Sequence, residues 1–145
     1  MEETIVETSA ETAARLRRVV TRLNRKLRAS ALGGVSPAQA SMLASIAKLE
    51  NPSLGDLALE EQIQPPSVTR LVKDMRQAGL ITVSSDPDDR RSTRVSLSAA
   101  GRKELDTIRK KKAEFIERKF LTLSLEDQSR VREAATLLEK FLDPQ

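Results

Sequence analysis

Cysteine, histidine, tryptophan and tyrosine do not occur in these 145 residues, and phenylalanine occurs three times, at Phe115, Phe120 and Phe141. Without cysteine there is no disulfide, no thiolate nucleophile and no thiol that could sense oxidation. Without histidine the chain lacks the usual metal ligand and the usual general base. No nucleophile, base and orienting group can be assembled from what remains at any suggestive spacing, so no catalytic residue is named, and neither an enzyme nor a cofactor is expected. The scarcity of aromatics removes the platforms on which single-stranded bases stack. No apolar run approaches the roughly 18 residues of a membrane span. The acidic, polar stretch from Met1 to Glu7 has none of the layout of a secretory leader. A cytoplasmic protein without a membrane partner is the expectation.

What is present suits one domain over residues 1–145, at 39% hydrophobic residues. Lys and Arg number 25 against 21 Asp and Glu, a formal charge of +4, and the isoelectric point is near 9.7. This modest basic excess suggests a polyanionic partner without requiring one.

The informative stretch runs from Ser53 to Gly79. It reads as a short helix, a tight break, and a second helix that opens on Pro65 and Pro66 and stops at Gly79. At about 100° per residue, Val68, Leu71, Val72 and Met75 share one face of the second helix, and Pro66, Thr69, Arg70, Lys73 and Gln77 share the opposite face. That is the outline of a helix-turn-helix. Its polar face has the side chains that hydrogen-bond base edges and phosphates in the major groove of duplex DNA. An ordinary solvated face would have the same composition.

The segment after Gly79 bears on that choice. Leu80 to Ser85 and Ser92 to Leu97 read as strands, with Thr93, Val95 and Leu97 alternating against Arg94 and Ser96. Between them Asp86, Pro87, Asp88 and Asp89 make a turn with Arg90 and Arg91 at its exit. The three aspartates lack the glycine and terminal glutamate of a calcium loop, so they are read as turn-formers and no metal is expected. A hairpin with arginines near its tip, directly after a recognition helix, is a wing able to reach the minor groove.

Asp89-Arg90-Arg91, Leu97-Ser98 and Gly101, with Ser67-Val-Thr-Arg70 and Gly79-Leu80-Ile81, resemble the signature of the MarR (multiple antibiotic resistance regulator) family of winged helix-turn-helix transcriptional regulators. Ser98 stands where that family usually has threonine, which keeps the hydroxyl. The resemblance is strong from about Leu57 to Gly101 and generic outside. It implies dimers built from interleaved first and last helices, and control by a small aromatic carboxylate or phenol bound between those helices and the winged domain. Arg17 stands where relatives can place a carboxylate-binding arginine; a solvated arginine is the plainer reading.

The chain ends fit such an architecture. From Thr8 to Leu32, Ala13, Leu16, Val19, Val20, Leu23 and Leu27 recur at helical spacing among seven basic residues, ending at Gly33 and Gly34. Ser36-Pro37 opens a scaffold helix to Leu49, in which Ala40, Leu43, Ala44, Ile46 and Ala47 face a neighbour. Ser98 caps a helix to about Phe120, where Gly101 invites the close approach of another backbone. Ser124-Leu-Glu-Asp127 has the form of a capping box for a last helix that Asp143-Pro144 stops. Lys110, Lys111 and Lys112 read as a solvated run.

The expected fold is mainly α with a small β-hairpin wing. Residues 36–98 form the winged helix-turn-helix, and residues 8–32 and 99–142 form a helical dimerisation part. Their apolar stripes exceed what a small central core can cover, which points to a partner surface and, most simply, a two-fold homodimer. Two recognition helices about 34 Å apart would then meet a roughly palindromic site.

The leading expectation is a ligand-responsive repressor that binds double-stranded DNA through Gln64, Pro66, Ser67, Thr69, Arg70 and Lys73. Arg90 and Arg91 act in the wing, with Asp89 holding one guanidinium by a charge-assisted bond. Two alternatives stay open, a DNA-compacting protein without operator specificity and a helical adaptor that binds protein.

Overall fold

Five serine or threonine hydroxyls set the starts of helices in this chain. A computed structural model describes residues 6–31 and 33–143. Thr8 caps α1 (Ser9–Ser30), Ser36 caps α2 (Pro37–Leu49) and Ser53 caps α3 (Leu54–Glu61), each with a reciprocal bond from Glu11, Gln39 or Asp56. Such caps contribute roughly 0.5–2 kcal/mol apiece by satisfying amides that lack an intrahelical acceptor. Helix α4 (Pro65–Gln77) has no side-chain cap and begins instead on its two prolines. Ser98 and Ser124 cap α5 (Ala99–Leu121) and α6 (Leu125–Leu142). At Ser124 the box is half-formed. Its hydroxyl accepts the Asp127 amide at 3.1 Å, while the Asp127 carboxylate lies 3.5 Å from Arg130.

Strands β1 (Ile81–Ser85) and β2 (Thr93–Leu97) pair antiparallel, with Ile81 opposite Leu97 and Val83 opposite Val95. The Val95 amide turns away from β1 to donate to the Pro52 carbonyl at 2.9 Å, so the chain just before α3 lies along the hairpin's other edge. Glu50 and Asn51, at φ 51° and 63°, make the tight reversal that brings it there.

The core is assembled from the middle of the chain. Met42, Leu43 and Ile46 of α2 meet Leu57 of α3, Val68, Val72 and Met75 of α4, Ile81 and Val95 of the hairpin, and Leu105 and Ile108 of α5. Fully burying one such side chain is worth about 1.5–3 kcal/mol. Gly101 is where α5 crosses the exit of α4. A Cβ built there would stand 2.0 Å from the Leu80 carbonyl oxygen, so only glycine permits the crossing.

The ends differ from the middle. Helix α1 buries no residue within its span and α6 buries only Gln128. Helix α1 also stops earlier than the glycines implied. Ala31 leaves helical geometry at φ −106° and enters the core at 8% exposure, so the chain turns inward before Gly33. Leu32, Met1 to Ile5 and Pro144, to which sequence expectations were attached, lie outside the described residues. Among the described residues no helix is long and apolar enough to cross a membrane.

Candidate nucleic-acid interface

Helix α4 is held from behind by its buried Val68, Val72 and Met75, which turns the other side outward. Gln64, Pro66, Ser67, Thr69, Arg70 and Lys73 are all exposed there. The Thr69 hydroxyl donates to the Pro65 carbonyl at 3.1 Å, which leaves its oxygen lone pairs toward solvent. Arg70 and Lys73 pair with no carboxylate among the described residues.

At the end of α4, Gly79 takes φ 76°, and the Leu80 amide donates back to the Met75 carbonyl at 3.0 Å. The Ser98 hydroxyl then does two things. It donates to the Gly79 carbonyl at 2.6 Å and accepts the Gly101 amide at 3.0 Å, so one side chain ties the exit of α4 to the start of α5. The hydroxyl that serine shares with threonine is what this joint needs.

The hairpin turn is closed by backbone bonds of 2.9 Å from Asp86 to Ser92 and from Ser92 to Asp89. Arg90 and Arg91 are exposed beside it and, among the described residues, meet no carboxylate. The expected bond from Asp89 to a guanidinium is not formed. Asp89 Oδ1 accepts the Arg91 backbone amide at 3.0 Å, because an aspartate in a tight turn reaches the amide two residues on more readily than a side chain leaving for solvent. The guanidinium that is held belongs to Arg94, whose Nε and Nη2 donate to Asp86 Oδ2 at 3.0 and 2.8 Å. The Asp88 amide and then Arg94 hold the Asp86 carboxyl below the usual carboxylate range. Asp56 is lowered too, first by the Ser53 amide and hydroxyl and to a lesser degree by Arg94.

Sequence reasoning treated Asp86 as a turn-former and Arg94 as an ordinary strand residue. Their opposite charges at the two ends of the turn were the available signal.

Within one copy, Arg17 is not among the residues that line the cleft where α1, α2 and α5 meet. It lines an apolar groove between α1 and α6 with Leu16, Val20, Leu138 and Phe141. The cleft, of about 200 Å³, is lined by Asn24, Arg28, Ser41 and Lys112 above the apolar Ala44 and Ile108.

Comparison with known proteins agrees with this geometry. The sequence model of the MarR family matches residues 35–93. An uncharacterised HTH-type transcriptional regulator of Mycobacterium leprae is 29% identical over 140 residues, which span 96% of this chain and 98% of that protein. The crystal structure of a Pseudomonas aeruginosa protein assigned as a transcriptional regulator superposes with a TM-score of 0.83 at 29% identity, covering 97% of this chain and 99% of the other. The F27L mutant of Staphylococcus aureus MepR, solved bound to an oligodeoxyribonucleotide, shares the fold with a TM-score of 0.70 at 18% identity, over 91% of this chain and 98% of that one.

Proposed function

We propose that this protein, whose residues 35–93 match the MarR family model, is a transcriptional regulator that binds duplex DNA with α4 in the major groove and the wing beside it. One observation carries the reading. The cations of α4 and of the wing tip are exposed and without carboxylate partners among the described residues, while the opposite face of α4 is locked into the core. Gln64, Pro66, Ser67, Thr69, Arg70 and Lys73 contact the groove, and Arg90 and Arg91 contact the neighbouring phosphates or minor groove. Asp89 shapes the turn from which they project.

The protein acts as a homodimer. Exposed Val131, Leu137, Leu138, Phe141 and Leu142 on α6 and Val19, Val20 and Leu23 on α1 form an apolar surface that a second copy covers. Its two α4 helices then reach half-sites about 34 Å apart on a pseudo-palindrome. Repression is the simplest consequence of such occupancy.

A small anionic aromatic effector releases the DNA from the cleft at Arg28 and Lys112. It needs only to favour the spacing of the two heads that does not fit DNA. The cations flank an apolar floor, which matches a ring bearing a carboxylate or phenolate. Arg17 retains a part only if the partner copy rebuilds the α1–α6 groove around it.

The decisive experiment selects bound fragments from genomic DNA and titrates the winning duplex with salt. Arg70→Ala costs roughly 1–3 kcal/mol and relaxes one base pair. Arg91→Ala weakens binding to every sequence and flattens the salt slope by about 1. Equal affinity for selected and random duplex would favour the architectural alternative. Absence of any salt-sensitive binding would sink the reading.

A further inference from the structure

A wing can support α4 on one duplex only if it keeps a fixed angle to it, and each strand of this wing is five residues long. We propose that Arg94 is the positioning residue that sets this angle, by clamping the root of the wing to the start of the helix-turn-helix. This rests on the reading of α4 and the wing as one DNA-binding surface.

All three nitrogens of the Arg94 guanidinium are engaged. Nε and Nη2 reach Asp86 Oδ2 at 3.0 and 2.8 Å, and Nη1 lies 3.6 Å from Asp56 Oδ2. The two carboxylates belong to different parts of the molecule. Asp86 stands at the start of the turn, where its other oxygen accepts the Asp88 amide at 2.9 Å and its own amide donates to the Ser92 carbonyl. Asp56 lies in the first turn of α3, and the oxygen it offers Arg94 also accepts the Ser53 amide at 2.9 Å. The backbone runs the same way, since Ser53 bridges Arg94 and the Val95 amide donates to Pro52.

Position separates Arg94 from the other wing arginines. Its side chain is 32% exposed and that of Asp86 only 13%, so this pair is less screened than one at the tip. Arg90 and Arg91 remain available to DNA, and Arg94 already has its anions. The clamp also depends on shape. A planar fork can place two donors on one carboxylate and a third on another, which a lysine ammonium on its single point cannot reproduce.

The test is a double-mutant cycle on the duplex selected by the wild-type protein, read by fluorescence anisotropy across a salt titration. Arg91→Ala weakens the wild-type background roughly five- to tenfold, as expected for a lost phosphate contact. In the Arg94→Lys background the same change costs less than about twofold, because an unclamped wing no longer delivers Arg91. Arg94→Lys keeps the positive charge, so unchanged affinity with full dependence on Arg91 overturns the proposal. Asp86→Asn, which leaves Arg94 in place, repeats the cycle if the lysine variant melts below the assay temperature, and it must show the same loss of coupling. Hydrogen exchange on the DNA-free protein gives a readout independent of binding. The amides of Ser92 and Val95 exchange faster in both variants, and equal exchange in all three proteins refutes the clamp. If the wild-type protein shows no salt-sensitive duplex binding, the functional reading has failed, and exchange alone decides whether the clamp exists.

Discussion

In the winged half, Met42, Leu43, Leu57, Val68, Met75 and Val95 are each at 0% exposure, whereas on α6 Val131, Leu137, Phe141 and Leu142 stand 44% to 73% exposed. The residue types and the helical spacing are alike in the two regions. What differs is whether the chain supplies its own cover. Four helices, α2 to α5, and the hairpin close around the middle, while α1 and α6 share only an open groove and leave much of their apolar surface exposed. The middle is therefore packed by its own residues, and the ends keep the apolar surface that the proposed second copy would cover. Leu59 of α3, at 81% exposure, is the single large apolar side chain of the middle that breaks the pattern.

The largest effect that could break this contrast is at the ends. Replacing Leu138 and Phe141 together by alanine removes four covered side chains from a dimer. Since Leu138 is 39% and Phe141 70% exposed in one copy, scaling the full-burial value of about 1.5–3 kcal/mol by those fractions weakens association by about 3–6 kcal/mol. Sedimentation equilibrium checks it, and an unchanged dimer constant would mean that the second copy sits elsewhere. In the middle, Leu57→Ala lowers stability by about 2–5 kcal/mol through the cavity it leaves. Its thermal midpoint shifts by the same amount at every protein concentration. A concentration-dependent shift would mean that the two regions do not separate energetically.

Gly101→Ala probes the joint between them. With the Leu80 carbonyl in the way, the new methyl forces α5 off the exit of α4, at a cost of about 1–3 kcal/mol in thermal unfolding. A neutral result would show that the crossing can open without loss.

The smallest effect is a pH dependence of the clamp. Asp56 and Asp86 have folded-state pKa values lowered below the ordinary carboxylate range. Their contribution is therefore present above the unfolded pKa of about 3.9 and is lost as pH falls through the lowered values. Melting curves of wild type and Asp86→Asn separate at neutral pH and converge in acid. A gap that persists unchanged well below pH 3 would show that the carboxylate charge contributes nothing.

The fold was legible wherever a local signal governed the outcome. Ser36, Ser53, Ser98 and Ser124 marked helix starts because a hydroxyl at a cap reaches an amide three residues on, whatever surrounds it. Gly79 marked the end of α4 for a similarly local reason. The two faces of α4 followed from its spacing, and so did the strands around the turn. Legibility failed where a side chain could choose between partners. Asp89 took the near backbone amide, and Arg94 took a carboxylate eight residues back in the chain and another in α3. Ala31 ended α1 because the core reached it, a fact that no neighbour in sequence announces. Arg17 and Arg28 lie on the same basic helix, and only the packing of α2 and α5 shows that Arg28 faces the cleft.

The sequence by itself determined which segments are helix and strand, where each begins, and that the side of α4 bearing Arg70 and Lys73 lies opposite Val68, Val72 and Met75. Helical period and capping chemistry act over three or four residues, so they are written in the local order of side chains. Only the tertiary structure decided which guanidinium is held and which are free, how closely α5 crosses Leu80, and which apolar stripes stay uncovered. Those outcomes depend on distances between residues far apart in the chain, and such distances exist only once the whole core has closed.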